Sequence, residues 1–310
     1  MNVAVVGATG VVGETIVRVL KERSIPVGQL GLFASRERNG IRRASAEALA
    51  GFDAVFFASS EDASEEFAPA LLQSGAVVID NSSTFRMRDD VPLVVPEVNA
   101  HAIKAGDRLF PVGNCTAIIL CVALAPVRDA AGLREVRVAT YQSISGAGRA
   151  ALEEFDRGEG AVVNNVVPQV GAFDGTGETG EELKVREETR KILELPHLRV
   201  DALCVRVPVR TAHSEAVFFE TERPTRVEDL AAAFERAPGV VYHREGIVTP
   251  REVEDTDAVH VARLRSCGSP TSFQMWVVGD QLRKGAATNG VQILELVMGL
   301  RQRSERDHTE

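Results

Sequence analysis

Met1-Asn2-Val3-Ala4-Val5-Val6-Gly7-Ala8-Thr9-Gly10-Val11-Val12-Gly13 opens the chain, and its reading decides the fold. The apolar run Val3 to Val6 is a buried-type strand, a G-x-x-G-x-x-G loop follows at once, and Val11 to Leu20 carries helical spacing. Strand, glycine loop and helix in that order let backbone approach a pyrophosphate while helix N–H groups and the helix dipole supply positive charge. A glycine triplet alone also suits a tight turn, so it is the placement that points to a dinucleotide.

Working outward, Leu30 to Ala34, Ala54 to Ala58 and Ala76 to Ile79 repeat the apolar strand pattern, with a helical stretch from Ala63 to Leu72. This alternation predicts an α/β domain with a Rossmann-like, doubly wound parallel sheet over residues 1–113. From Val136 the strand candidates lengthen, VRVATYQSI, VDALCVRVPV and EAVFFETE, with a helical stretch from Gly180 to Leu193. They predict a second, α+β domain with a mixed sheet over 114–280. The last strong helical pattern, Asp280 to Leu300, is expected to complete the first domain over 281–300. The charged residues 301–310 are expected to form a mobile tail.

Bulk properties narrow the function. The 310 residues carry 35 Lys and Arg against 44 Asp and Glu, a net −9, which is poor electrostatics for nucleic acid or an anionic membrane. Any anion must therefore be held locally. Four cysteines, at 115, 121, 204 and 267, form no C-x-x-C pair or His/Cys cluster, so neither a metal site nor a disulfide framework is expected. The opening residues lack the basic and apolar regions of a signal peptide, and no apolar run reaches the roughly 20 residues of a membrane span. A reducing, cytoplasmic setting is expected.

At the end of the second strand the sequence reads Ser35-Arg36-Glu37-Arg38. Cofactors without a 2′-phosphate usually meet an acidic residue there, so two guanidiniums favour NADP over NAD. A solvated loop in which Glu37 pairs with its neighbours is the alternative.

Cys115, in Gly113-Asn114-Cys115-Thr116, lies where a strand from Leu109 gives way to an apolar helix. A thiol at a helix N-terminus is favoured as thiolate by unsatisfied N–H groups, although most cysteines are simply buried. Cys121, Cys204 and Cys267 read as inert thiols in apolar runs. His213 follows VDALCVRVPV through a short turn and is expected to emerge at a strand end, where it can handle a proton; a surface histidine is the plainer reading. Arg206 is an isolated charge on an apolar strand and needs an anionic partner. Lys184 shares a helix face with Glu181, a spacing that also suits a solvated ion pair.

Taken together, GATGVVG at 7–13, NSSTFRM at 81–87, GNCT at 113–116, TYQSISGAG at 140–148, EELK at 181–184, RVPVRTAHSE at 206–215 and DQLRKGAATN at 280–289 resemble the aspartate-semialdehyde dehydrogenase family over nearly the whole chain. The resemblance implies an NADP-dependent, phosphorylating aldehyde dehydrogenase, typically dimeric or tetrameric, that works through a cysteine thioester in biosynthesis of lysine, threonine and methionine. Cys115 is then the nucleophile, His213 the acid/base group and Gln142 the group that orients substrate. Arg206 and Glu181 hold the substrate's carboxylate and amino group, and Arg86, Asn114 and Lys184 make a phosphate pocket. The cofactor lies on Gly7, Thr9, Gly10, Val11, Val12 and Gly13, on Ser35 with Arg36 or Arg38, on Ser145 and Gly146, and around Gln281 and Asn289. Three features depart from the family pattern: a short connection over 40–50, Glu37 where an arginine is usual, and a trimmed stretch over 148–164.

N-acetyl-gamma-glutamyl-phosphate reductase shares the thioester logic and is the nearest rival, but Glu181 and Arg206 favour a free amino acid. A non-catalytic nucleotide-binding homologue has no reason to keep Cys115, Gln142 and His213 together.

Overall fold

The computed structural model describes the backbone of residues 1–307 and the side chains of residues 1–299, so the tail expected over 301–310 falls outside the described side chains. The chain divides into two units, residues 1–113 with the chain from Ala286 onward, and residues 114–285.

In the first unit the elements run β1 (Asn2–Val6), α1 (Val11–Glu22), β2 (Gln29–Ala34), β3 (Arg42–Arg43), α2 (Ala46–Leu49), β4 (Ala54–Phe57), α3 (Glu61–Gln73), β5 (Val77–Asp80), α4 (Pro96–Asn99) and β6 (Leu109–Pro111). The strands form one sheet in the order β3-β2-β1-β4-β5-β6, every pair parallel. Strands buried on both faces explain why their sequences are apolar throughout rather than alternating. On one face Val55, Phe57 and Val78 pack with Leu49 of α2 and with Phe67 and Leu71 of α3. The returning helix of this unit approaches the opposite face, where Gly290 lies so close to Ile79, Val112 and Phe56 that a methyl there would touch all three. An Arg23–Glu295 ion pair at 2.8 Å ties that helix to the end of α1.

In the second unit the elements run α5 (Cys115–Ala131), β7 (Glu135–Gln142), α6 (Arg149–Asp156), α7 (Gly180–Ile192), β8 (Arg199–Arg206), β9 (His213–Glu220), α8 (Val227–Arg236), β10 (Val240–His243), α9 (Pro250–Val253), β11 (Val259–Ser269) and β12 (Ser272–Gly279). Their sheet has the order β10-β11-β12-β9-β7-β8 and mixes parallel with antiparallel pairs. Helix α5 is its central rod, with Thr116 to Val127 buried throughout. A helix apolar all round belongs in an interior, and α7 and α8 pack against it. Helix α7 starts at a capping box in which Thr179 accepts from the Glu182 N–H and Glu182 accepts from the Thr179 N–H.

The alternation of β7 buries Val136, Val138, Thr140 and Gln142 and turns Arg137 and Tyr141 outward. On that outer face Tyr141, Leu203 and Phe218 are exposed, and Tyr141 packs on Trp276 with ring centroids 5.4 Å apart. The single helical pattern read from Asp280 onward is two elements. Asp280 accepts from the N–H groups of Leu282 and Arg283, a π-helical turn follows over Arg283–Ala287, and α10 begins at Thr288 and runs to Asp307. Among the described residues no helix is long and apolar enough to cross a membrane.

Candidate active site

Cys115 is the first residue of α5. Asn114 caps the helix, its side-chain oxygen accepting from Thr116 N at 3.0 Å and Ala117 N at 3.2 Å. The other cysteines divide. Cys121 and Cys204 are buried, and burial pushes both thiols well above their ordinary pKa. Cys267, expected in an apolar run, is instead exposed on the β11–β12 hairpin, because its neighbours Arg265, Ser266 and Gly268 face solvent with it.

His213 is the first residue of β9, as a strand-end position requires, but it is fully buried rather than emerging. Its Nε2 lies 3.5 Å from Cys115 Sγ. Its Nδ1 faces Ser143, whose backbone N and Oγ are each 3.1 Å away. Burial, and then the nearby Arg206 guanidinium, push the imidazole pKa down to about 3. The ring is therefore neutral at ordinary pH.

Around this pair the second unit gathers most of the polar residues singled out in the sequence. Glu181 Oε1 accepts from Asn114 Nδ2 and from Gln142 Nε2, both at 2.9 Å. The parallel register of β7 and β8 sets Gln142 opposite Arg206. Arg206 Nη1 donates to Ser143 O at 2.6 Å. Gly146 leaves room for both bases: a Cβ there would lie 3.1 Å from Arg206 Nη1 and 3.2 Å from His213 Cε1. Lys184 stands partly exposed one turn after Glu181 on α7. Gln281, buried, accepts from Ala212 N at 2.8 Å and donates to Ser145 Oγ.

Three participants were not singled out in the sequence. Ser143 braces the imidazole, Glu188 accepts the Asn114 N–H, and Gly285 lies against the nucleophile, where a Cβ would come 2.8 Å from Cys115 Cβ. Each acts through a contact between segments far apart in the chain. Ser143, inside the TYQSISGAG motif, and Gly285, inside the DQLRKGAATN motif, were within reach of the motif reading, and Glu188 was not.

The first unit holds the glycine loop. Gly7 has φ +87°, and a Cβ there would sit 2.2 Å from Ala58 O. A Cβ on Gly13 would sit 2.2 Å from Gly7 O. Gly10 caps α1 without a side chain, so the first-turn N–H groups of Val11, Val12 and Gly13 meet no side-chain acceptor from their cap. Such a turn fits a dinucleotide phosphate. At the end of β2, Ser35, Arg36 and Arg38 are exposed. The short strand β3 adds Arg42 and Arg43 opposite Phe33 and Ala34, with the Arg42 guanidinium 4.4 Å over the Phe33 ring. This arginine cluster, larger than the sequence reading made it, fits a 2′-phosphate. Thr9 is exposed in the loop. Arg86, nearly buried, donates to Asn81 O at 2.8 Å, and Asn289, fully buried, donates to Val94 O at 2.9 Å. Among the described residues no group of three or more His, Cys, Asp or Glu is placed to hold a metal.

Residues 2–106 match the NAD binding domain of semialdehyde dehydrogenase, and residues 124–284 match the semialdehyde dehydrogenase dimerisation domain. The aspartate-semialdehyde dehydrogenase of Aquifex aeolicus is 38% identical over 96% of this chain and 98% of its own length. The chain belongs to the aspartate-semialdehyde dehydrogenase family. The Bacillus subtilis member is 36% identical over 95% of this chain and 96% of its own. A crystal structure of aspartate semialdehyde dehydrogenase II from Vibrio cholerae, complexed with ASA, superposes with a TM-score of 0.90 at 38% identity, covering 96% of this chain and 98% of that one. Family membership makes this an oxidoreductase acting on an aldehyde, with a nicotinamide-dinucleotide domain and an oligomerising domain.

Proposed function

We propose that this chain catalyses the reversible, NADP-dependent reductive dephosphorylation of L-aspartyl 4-phosphate to L-aspartate 4-semialdehyde, in biosynthesis of lysine, threonine and methionine. The observation that carries the proposal is the contact of Cys115 Sγ with the buried neutral His213 at 3.5 Å, at the start of α5. A helix N-terminus and a hydrogen-bond partner together favour the thiolate that such a reaction needs. NADP, when bound to residues 1–113, supplies the redox step.

The residues take these roles. Cys115 forms the thioester, and His213 serves the sulfur and the substrate oxygen. Gln142 and Asn114, joined through Glu181, fix the reacting group, while Glu181 and Arg206 take the amino group and carboxylate of the amino acid. Arg86, Asn114 and Lys184 take phosphate. Gly7, Thr9, Gly10, Val11, Val12 and Gly13 cradle the pyrophosphate, and Ser35 with Arg36 and Arg38 meets the 2′-phosphate. Ser145, Gly146, Gln281 and Asn289 complete the cofactor's surroundings. The assembly is a homodimer or a homotetramer, in which the face of Tyr141, Leu203 and Phe218 is covered by a second copy, and its setting is the cytoplasm.

The test is phosphate-dependent reduction of NADP with aspartate semialdehyde, with the N-acetylglutamyl analogue as control. Turnover that needs phosphate and prefers the free amino acid is expected, and Cys115→Ser should abolish it while NADP still binds. Substantial turnover by Cys115→Ser would remove the thioester, and preference for the acetylated analogue would reassign the substrate.

A further inference from the structure

Gln142 is the last residue of β7, and a side-chain amide can meet a substrate with either its oxygen or its nitrogen. Here the strand itself decides which. Thr140 and Gln142, two residues apart, turn to the same buried face of β7 and are 0% and 2% exposed. Thr140 Oγ1 lies 3.1 Å from Gln142 Oε1. An amide oxygen only accepts, so the hydroxyl is the donor.

That donation is fixed from behind. The parallel register of β7 and β8 sets Thr140 opposite Cys204, and the next backbone N–H, that of Val205, donates to Thr140 Oγ1 at 3.4 Å. A hydroxyl that accepts from the neighbouring strand keeps its own hydrogen for another partner, and a β-branched side chain has little χ1 freedom to carry it elsewhere. The Cys204 thiol also lies within hydrogen-bonding reach of this hydroxyl. Burial keeps that sulfur protonated, and a thiol is a weaker acceptor than an amide carbonyl.

At its other end Gln142 Nε2 donates to Glu181 Oε1 at 2.9 Å, and Asn114 Nδ2 donates to the same oxygen at the same distance. The Asn114 oxygen is taken by the N–H groups of Thr116 and Ala117. The two amides joined through Glu181 are therefore held alike, each with its oxygen occupied by the protein and one N–H hydrogen still to give. For Asn114 the start of α5 supplies the hold. For Gln142 it is Thr140.

We propose that Thr140 is a positioning residue, whose hydroxyl keeps the Gln142 oxygen turned back into β7 and its N–H group toward the substrate, so that Gln142 meets the reacting group as a donor. The proposal rests on the role given to Gln142 above. A substrate amino group taken by Glu181 draws on the same carboxylate that restrains Nε2, and Thr140 is then the restraint that the substrate does not engage. An amide turned end for end would set its carbonyl against an oxygen that gains negative charge as the thiolate attacks. The loss of Thr140 must therefore fall on turnover and not on cofactor binding.

Thr140→Val removes the hydroxyl at nearly constant volume, and Thr140→Ser keeps it. Thr140→Val should lower kcat about tenfold, the scale of one lost hydrogen bond, with KM for NADP within about twofold, and Thr140→Ser should hold kcat within about threefold of wild type. A double-mutant cycle separates positioning from structure. With Gln142→Ala there is no amide to orient, so adding Thr140→Val should leave kcat where it was while still lowering the urea midpoint, because the Val205 N–H has lost its acceptor. An undiminished loss of kcat on that background overturns the proposal. Side-chain 15N NMR of glutamine amides in the protein without added ligand reads the contact apart from any substrate, with Gln142→Ala assigning the resonance. Thr140→Val should shift that resonance and speed its hydrogen exchange, and Thr140→Ser should restore both. An amide insensitive to Thr140→Val overturns the proposal as well. Thr140→Ala carries the same expectations and stands in if the valine variant does not fold. Absence of phosphate-dependent turnover in the wild type, with the amide still answering to Thr140, overturns the substrate reading alone.

Discussion

Glu188 accepts the backbone N–H of Asn114, the residue immediately before Cys115. Glu188 is 1% exposed and Asn114 6%, so a buried carboxylate on α7 anchors the start of α5 from outside that helix. Glu188→Ala should strand a buried N–H and cost about 1–3 kcal/mol of stability. Cys115 should also be alkylated more slowly. Glu188→Gln retains an oxygen acceptor and should recover most of both. Urea unfolding beside alkylation kinetics reads the two effects, and wild-type values for Glu188→Ala would show that the anchor is dispensable.

Gly285 is the second brace. A Cβ there would fall 2.8 Å from Cys115 Cβ and 3.2 Å from its Cα, so the thiol must move or the π-helical turn must back away. Misplacing a reacting group by about 1 Å costs on the order of a hundredfold in rate. Gly285→Ala should therefore lose about two orders of magnitude in kcat with little change in urea midpoint. Near-normal kcat would mean that the turn yields without disturbing the sulfur.

Two buried groups give stability opposite dependences on pH. Between about 3 and 6.5 the unfolded chain binds a proton at His213 that the native ring refuses, so stability falls as pH falls through that window, by up to ~1.4 kcal/mol per unit. Glu215, fully buried with neither carboxyl oxygen hydrogen-bonded, has its pKa raised well above 4.5 by burial. The native state keeps a proton there that the unfolded chain releases, so stability falls as pH rises above 4.5. His213→Gln should flatten the acid limb of a stability–pH curve and Glu215→Gln the alkaline limb. Urea midpoints from pH 4 to 9 test this, and unchanged limbs in both variants would refute the assignment.

The outer face of the second sheet sets a fourth expectation. Tyr141, Leu203 and Phe218 are 37%, 53% and 47% exposed, more apolar surface than a lone soluble subunit usually leaves on a sheet. Phe218→Asp should halve the mass seen by sedimentation equilibrium and leave the monomer prone to aggregate. An intact assembly would place the interface elsewhere.

The sequence was most legible where one local rule decides. A parallel sheet needs continuous apolar strands, so β1, β2, β4 and β5 could be read directly, and the glycine loop between β1 and α1 marked itself. Strands β7, β8 and β9 showed their alternation. Strands β10 to β12 were not read, because β11 breaks its own pattern: Arg263 takes φ +56°, the register slips between Ala262 and Arg265, and Arg263 and Arg265 turn charge outward. The reacting pair was legible through Cys115 and His213, but the burial of His213 was not. That burial comes from the Ser143 segment and from Gln281, some 70 residues away on either side, and no local periodicity encodes such a contact.

The placement of Cys115 on α5 has a further consequence. That helix is the centre of the second unit's packing, so the element that carries the nucleophile cannot melt while the rest of that unit stays folded. Amide exchange along Ile118 to Leu124 should be as slow as global unfolding allows, and heat should extinguish catalysis and secondary structure at one temperature. An enzyme arranged this way has no inactive yet folded form reached by local melting; it is either whole or gone.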